Sequence, residues 1–187
     1  MSMTAGAFRI RDATEQDIPA IRDIYCDTVV NSIATLDTEP PSLERQTDWF
    51  RRHGGRFPVL VAESDAAVVG WASLSVWNDR GAYLYTSEAS LYIAADHRRR
   101  GIGTSLMDAL IARARELDYH VIIARVVRTN ETSLKMMRGL GFQDVGVIRE
   151  VGYKFDQWLD MCVLQLTLPA GDGRAAPSPQ DAGTPRT

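Results

Sequence analysis

Cysteine is nearly absent from this chain. Cys26 and Cys162 are the only two in 187 residues, too few and too isolated for a disulfide framework or a thiolate zinc site, so reduced structural thiols are expected. Histidine is scarce as well, and His53, His97 and His120 show no ligand spacing; no metal is expected. No apolar run approaches the ~20 residues that span a bilayer, and the opening residues MSMTAGAFRIRDAT lack the apolar core of a secretory signal. A soluble cytoplasmic protein with no membrane partner is the expectation. Nor is there an excess of positive charge: 21 Lys and Arg against 24 Asp and Glu leave a net charge of -3, which argues against a nucleic-acid partner. No internal repeat is present.

A hydrophobic content of 45% and a charged content of 24% fit one globular domain. Residues 169–187, PAGDGRAAPSPQDAGTPRT, are rich in Pro, Gly and Ala and nearly devoid of large apolar side chains, which predicts a single domain over 1–168 followed by a disordered tail. Within the domain, residues 8–11 read as a first strand, and Thr14-Glu15-Gln16-Asp17 has capping-box character ahead of an amphipathic helix carrying Ile18, Ile21, Ile24, Tyr25 and Val29. Residues 31–42 hold Pro40 and Pro41 and read as a loop, with a helical pattern resuming over 43–52. Residues 58–63 and 68–77 bracket Ser64-Asp65-Ala66-Ala67 as an antiparallel hairpin. Further strands are predicted over 89–94, 120–127, 142–149 and 160–168, and helices over 102–117 and about 131–140. Strands first, then strands alternating with helices, imply an α/β (α+β) fold: a mixed, central twisted sheet flanked by helices.

The stretch EASLYIAADHRRRGIGT, residues 88–104, reads as a strand running into a glycine-rich turn that opens a helix. Gly101 and Gly103 let the backbone approach an anion, and the first free N–H groups of the helix can donate to phosphate oxygens. Arg98, Arg99 and Arg100 add charge at the same mouth. The dinucleotide fingerprint is excluded because no third glycine follows in place, and a P-loop because no Gly-Lys-Ser or Gly-Lys-Thr closes the turn. The bland alternative is an ordinary strand-to-helix turn beside a solvated basic patch.

The run Arg98-Arg99-Arg100-Gly101-Ile102-Gly103 resembles the R-x-x-G-x-G pyrophosphate loop of the GNAT superfamily of N-acetyltransferases. Downstream, Asn130-Glu131-Thr132-Ser133 ahead of Leu140-Gly141-Phe142 is similar to that superfamily's N-x-x-S/A … G-F segment. Trp77, Arg80, Tyr83, Thr86-Ser87-Glu88, Tyr92, Gly152-Tyr153-Lys154 and Trp158-Leu159-Asp160 look like its phosphinothricin acetyltransferase group, which includes methionine sulfoximine and sulfone acetyltransferases. The likeness covers residues 8–168.

The resemblance implies acetyl-CoA as cosubstrate, an amine attacking its thioester directly in a ternary complex, and a small amino-acid-like acceptor. By the same resemblance, Leu91, Tyr92 and Ile93 would pair with the pantetheine arm, residues Arg99, Arg100, Gly101, Ile102, Gly103 and Thr104 with Arg98 would hold the diphosphate, and Asn130 with Ser133 would contact the arm. Glu88 occupies the position of the family's catalytic glutamate and would take the proton from the amine. Arg80, whose planar fork suits a carboxylate or phosphinate, would bind the acceptor together with Trp77, Tyr83, Thr86 and Tyr153, while Leu36 and Glu39 of the early loop would close over it. Related enzymes are typically homodimers, and the same is expected here.

Two departures bear on this. Met137 stands where the group carries histidine, and many relatives tyrosine, near the leaving thiolate; methionine neither gives nor takes a proton, so either the thiolate leaves unassisted, or water or a neighbouring tyrosine such as Tyr92 or Tyr153 serves, or the enzyme is slow. Leu84 stands where some methionine-sulfoximine-type relatives carry arginine. The alternatives are an N-acetyltransferase for another amine, a peptide N-terminus or a polyamine, and an acyl-CoA-binding sensor without turnover.

Overall fold

The computed structural model describes residues 8–169, so the tail expected over 169–187 lies, Pro169 apart, outside the described residues, as does the segment before Phe8. The strands are β1 (Arg9–Asp12), β2 (Val59–Ser64), β3 (Ala67–Val76), β4 (Thr86–Ile93), β5 (Val121–Val127), β6 (Gln143–Lys154) and β7 (Gln157–Thr167). The helices are α1 (Ile18–Asn31), α2 (Leu43–Arg51), α3 (Ile102–Glu116) and α4 (Glu131–Gly139). All seven strands join one sheet in the order β1-β2-β3-β4-β5-β7-β6. Neighbours run antiparallel except β4 and β5, so the sheet is mixed, as the alternation of elements predicts.

Helices cover both faces. On one, Ile102, Leu106, Met107, Leu110, Ile111 and Ala114 of α3 are buried against Leu60, Ala72, Leu74 and Ile122 of the sheet, together with Leu134 and Met137 of α4. Recurrence of apolar residues at helical spacing along α3 is what puts them on one stripe. On the other face, Ile21 and Ile24 of α1 pack on Val59, Val61 and Trp71, with Tyr25, Trp49, Phe50 and Tyr92 around them. The Trp71 indole N–H donates to the Ile21 carbonyl at 3.1 Å, which fixes the ring against the helix.

The last two strands run further than their sequence suggests. Expected over 142–149 and 160–168, they extend to Lys154 and back to Gln157, leaving Phe155 and Asp156 alone to make the turn, with φ of 51° and 57°. Those left-handed conformations are the two-residue hairpin geometry. Phe-Asp carries none of the Asn-Gly or Asp-Gly chemistry that announces such a turn in sequence, so the pairing of β6 with β7 imposes it.

Thr14 begins the helical segment as expected, through a short 3-10 turn over Glu15–Asp17. Asp17 accepts from the Thr14 amide at 2.7 Å and from both terminal nitrogens of Arg11 at 2.7 and 2.8 Å, while Arg11 also reaches Glu63 on β2 at 2.8 Å. The Arg11 guanidinium, and next the Thr14 donors, hold the Asp17 carboxyl below its ordinary value against the opposing effect of burial. A carboxyl lowered in the folded state contributes stability above its unfolded pKa and loses it as pH falls through the folded value. Asp17→Asn is therefore expected to cost about 2 kcal/mol at neutral pH, and progressively less below about pH 4. Urea unfolding of both proteins across that range reads the difference, and a cost independent of pH would refute the assignment.

Candidate active site

β4 and β5 pair only at Thr86 with Val121, Ser87 with Ile122 and Glu88 with Ile123, and then part. On its other side β4 stays paired with β3 through Ile93, so the edge of residues 89–93 facing β5 is left without a strand partner. Leu91 and Ile93 point to the α3 face, where both approach Gly103; a Cβ there would meet Met136 Sδ at 3.3 Å and Leu91 Cδ2 at 3.4 Å. Glu88, Ser90 and Tyr92 alternate to the α1 face, because successive side chains of a strand point to opposite sides.

Beyond the open edge lies the glycine turn. Gly101 takes φ +82° as the residue preceding α3, with nothing within 4 Å of its Cβ position. The Arg98 amide bonds back to Ala95 and the Ser105 amide to Gly101, but the intervening amides from Arg99 to Thr104 find no acceptor among the described residues. A run of free N–H groups at the positive end of a helix fits a diphosphate. Arg99 and Arg100 are exposed beside it, whereas the Arg98 guanidinium turns back to the Ile93 carbonyl at 3.1 Å. Asn130 sits just ahead of α4, its Oδ1 accepting from the Ser133 amide at 3.2 Å, which leaves its N–H groups available. A groove lined by Thr104, Thr132, Lys135, Met136, Gly139 and Leu140 runs between α3 and α4, with a volume of about 380 Å³.

On the α1 face a cavity of about 260 Å³ is lined by polar and aromatic groups, among them Ser73, Ser75, Ser90, Tyr92, Trp49 and Tyr25. The Ser73 hydroxyl is fully buried there without a hydrogen-bond partner among the described residues, a feature that a bound polar ligand would account for. Burial raises the phenols of Tyr25 and Tyr92, the latter up to about 12, so both stay protonated at neutral pH. The described residues contain no cluster of His, Cys, Asp and Glu able to hold a metal.

The remaining residues singled out in sequence are spread around this face. Trp77, Arg80 and Tyr83 lie in the connection between β3 and β4, with Arg80 and Tyr83 exposed, and Thr86 begins β4. Leu36 packs on Val127, Leu159 and Met161, close against Gly152. Tyr153 is exposed on β6, its ring 5.1 Å from that of Trp158. Met137 is buried in the core beside α3.

Two residues of this face escape sequence reasoning. Arg125 of β5 reaches across the parting strands to Glu88, with Nε 2.5 Å from Oε1 and Nη2 3.0 Å from Oε2. His53 carries an imidazole to the Ser75 hydroxyl at 3.0 Å, with its other nitrogen 2.8 Å from the Trp49 carbonyl. That carbonyl only accepts, so Nδ1 holds the proton and Nε2 accepts from Ser75. Burial lowers the His53 pKa and keeps the ring neutral. Alternation along β5 places Arg125 opposite Ala124 and Val126 and so on the Glu88 face, but only the partial pairing of β4 with β5 brings the two together.

The profile of the acetyltransferase (GNAT) family matches residues 18–142. An L-methionine sulfoximine/L-methionine sulfone acetyltransferase of Pseudomonas paraeruginosa is 40% identical over 162 residues, 85% of this chain and 94% of that protein. The crystal structure of a phosphinothricin acetyltransferase from Sinorhizobium meliloti, in complex with acetyl-CoA, superimposes with a TM-score of 0.84 at 31% identity, covering 89% of this chain and 94% of that one. A ribosomal-protein-alanine N-acetyltransferase from Brucella melitensis superimposes with a TM-score of 0.82 at 39% identity over 86% of this chain and 99% of the other.

The loop that roofs the α1 face hangs on one buried cation. Lys154 is 5% exposed, and its ammonium donates to the carbonyls of Ser32 at 2.8 Å and Thr35 at 2.9 Å. Thr35 in turn receives the Asp37 amide on its hydroxyl, and Asp37 accepts from Tyr25 at 2.7 Å. Lys154→Met leaves both carbonyls without their donor and is expected to cost about 1–3 kcal/mol. Hydrogen exchange should show residues 32–37 opening more readily in this variant; protection equal to the wild type would show that the loop does not depend on Lys154.

Proposed function

The chain belongs to the acetyltransferase (GNAT) family, and from that premise we propose that Glu88 accepts the proton of an amino-acid-like acceptor held on the α1 face while acetyl-CoA lies in the opening between β4 and β5. The protein is an acetyl-CoA-dependent N-acetyltransferase acting on a small amine. One observation carries the assignment of residues: the strands part directly after Glu88, with free amides beyond the open edge and a polar cavity on the Glu88 side.

The amides of Arg99 to Thr104, with Arg99 and Arg100, would hold the diphosphate, and the open edge at Leu91, Tyr92 and Ile93 would pair with the amides of the pantetheine arm beside the side-chain N–H groups of Asn130 and the hydroxyl of Ser133. Acetyl-CoA supplies an activated thioester carbonyl. An amine attacks only as its free base, and an alkyl ammonium is protonated at neutral pH, so a proton acceptor must stand by it. Glu88 is that group. Met137 offers no proton, and Tyr92, protonated at neutral pH, is the donor on this face. A methionine sulfoximine or phosphinothricin acceptor fits the cavity beside Ser73, Ser75 and Ser90; Trp77, Arg80, Tyr83, Thr86, Leu36 and Tyr153 are proposed to surround it. A cytoplasmic location belongs to the same proposal.

Glu88→Gln keeps the shape and removes the base. Turnover measured by thiol release is expected to fall about 10²–10⁴-fold with acetyl-CoA affinity retained, on a panel of methionine sulfoximine, methionine sulfone, phosphinothricin, polyamines and short peptides. Gly101→Trp should do the reverse, abolishing acetyl-CoA affinity; unchanged affinity would place the diphosphate elsewhere. Turnover of a peptide alone would favour an acceptor like that named for the Brucella melitensis neighbour.

A homodimer is proposed through β6. That strand forms one edge of the sheet, and Val145, Val147, Ile148, Val151 and Tyr153 on it are exposed, together with Phe155 and Trp158 of the same hairpin. The opposite edge, β1, is short and carries Arg9, Arg11 and Asp12, as an edge kept free of partners does. An exposed apolar edge of this length fits a second copy of itself. The double variant Val147→Glu, Trp158→Glu is expected to run as a monomer in light scattering where the wild type runs as a dimer; a wild-type monomer would overturn the assignment.

A further inference from the structure

Both oxygens of the Glu88 carboxylate are taken by Arg125, through Nε at 2.5 Å and Nη2 at 3.0 Å. Among the described residues the guanidinium has no other hydrogen-bond or ion-pair partner: its cross-strand neighbour on β7 is Val163, and Ile123 and Val127 flank it on its own face. The pair straddles the point where β4 and β5 separate, one partner on each strand. Glu88 is 18% exposed on its side chain and Arg125 49%, so the carboxylate is shielded while the guanidinium is open to an incoming molecule.

Resting on the reading of Glu88 as the proton acceptor, we propose that Arg125 selects the acceptor by taking its carboxylate, so that an amine carrying an anionic group inserts between Arg125 and Glu88. A simple amine that draws the carboxylate away leaves Arg125 without a counter-ion, because no other described residue pairs with it. An α-amino acid brings both charges. Its carboxylate matches the fork of Arg125, its ammonium faces Glu88, and every charge is paired before and after. The direct pair is exchanged for the same pair bridged by a zwitterion, and Glu88 is freed at the moment its partner amine arrives. The ion pair therefore discriminates against amines with no anion, whether polyamines or amino-acid amides, and it does so at the reacting end of the acceptor rather than in the cavity that receives the tail.

The test compares kcat/KM for the best amino-acid acceptor of the panel with that for its carboxamide, in wild type, Arg125→Gln, Arg125→Lys and Glu88→Gln. Wild type is expected to favour the acid by about ten- to a hundredfold, what a charge-assisted pair contributes. Arg125→Gln should erase that ratio through the KM of the acid rather than kcat, and Arg125→Lys, which keeps the charge without the fork, should retain part of it. If Arg125→Gln proves poorly folded by circular dichroism, the ratio in Arg125→Lys decides. A wild type that acetylates the carboxamide as well as the acid, or an Arg125→Gln ratio within twofold of wild type, overturns the proposal. Glu88→Gln separates the two readings: near-wild-type turnover there removes the base assignment, whereas a dead Glu88→Gln beside an unchanged Arg125→Gln ratio removes only the selection by Arg125.

Discussion

The arrangement of the candidate site depends on a failure of strand pairing. β4 and β5 are the one parallel pair in the sheet, and their ladder stops at Glu88 and Ile123. Backbone N–H and C=O groups are obligatory hydrogen-bonding groups, and leaving a strand edge open in the middle of a sheet is costly unless something takes its place. The surrounding structure holds the gap: β4 is fixed by β3 from Ser87 to Ile93, and β5 by β7 from Val121 to Val127. On the α3 side, Leu91, Ile93 and Met136 converge on Gly103, where there is little room to spare. The opening is thus built by strands anchored on their outer sides.

That gap sorts the chemistry by face. Alternation along β4 sends Leu91 and Ile93 towards α3 and Glu88, Ser90 and Tyr92 towards α1. The unpaired amides of the glycine turn stand at the end of the opening, and the cavity with its serines lies on the other side. The roof of that cavity is not a free loop. Lys154, reaching from the far hairpin, ties the carbonyls of Ser32 and Thr35, and so couples the apolar edge of the sheet to the α1 face.

Legibility in the sequence followed the range of the physics. The glycine turn and the helix after it were readable because Gly101 and Gly103 act on their own backbone and the apolar spacing of α3 is local. The first hairpin was readable for the same reason. The last hairpin was not: Phe155 and Asp156 hold left-handed conformations only because Gln143–Lys154 and Gln157–Thr167 pair on either side of them. His53 gave no signal either, since its meaning comes from Ser75 and the Trp49 carbonyl, not from its spacing to other histidines.

The sequence by itself determined the order of the elements, the mixed α/β architecture and the glycine turn ahead of α3, because periodicity, capping and glycine content act over a few residues. Only the tertiary structure decided what Glu88 faces. Residues 88 and 125 are far apart in the chain, and nothing in either strand predicts that their ladder ends two residues short of Arg125. That distance is set by the packing of the whole sheet, and the ion pair across the gap exists only once the sheet is assembled.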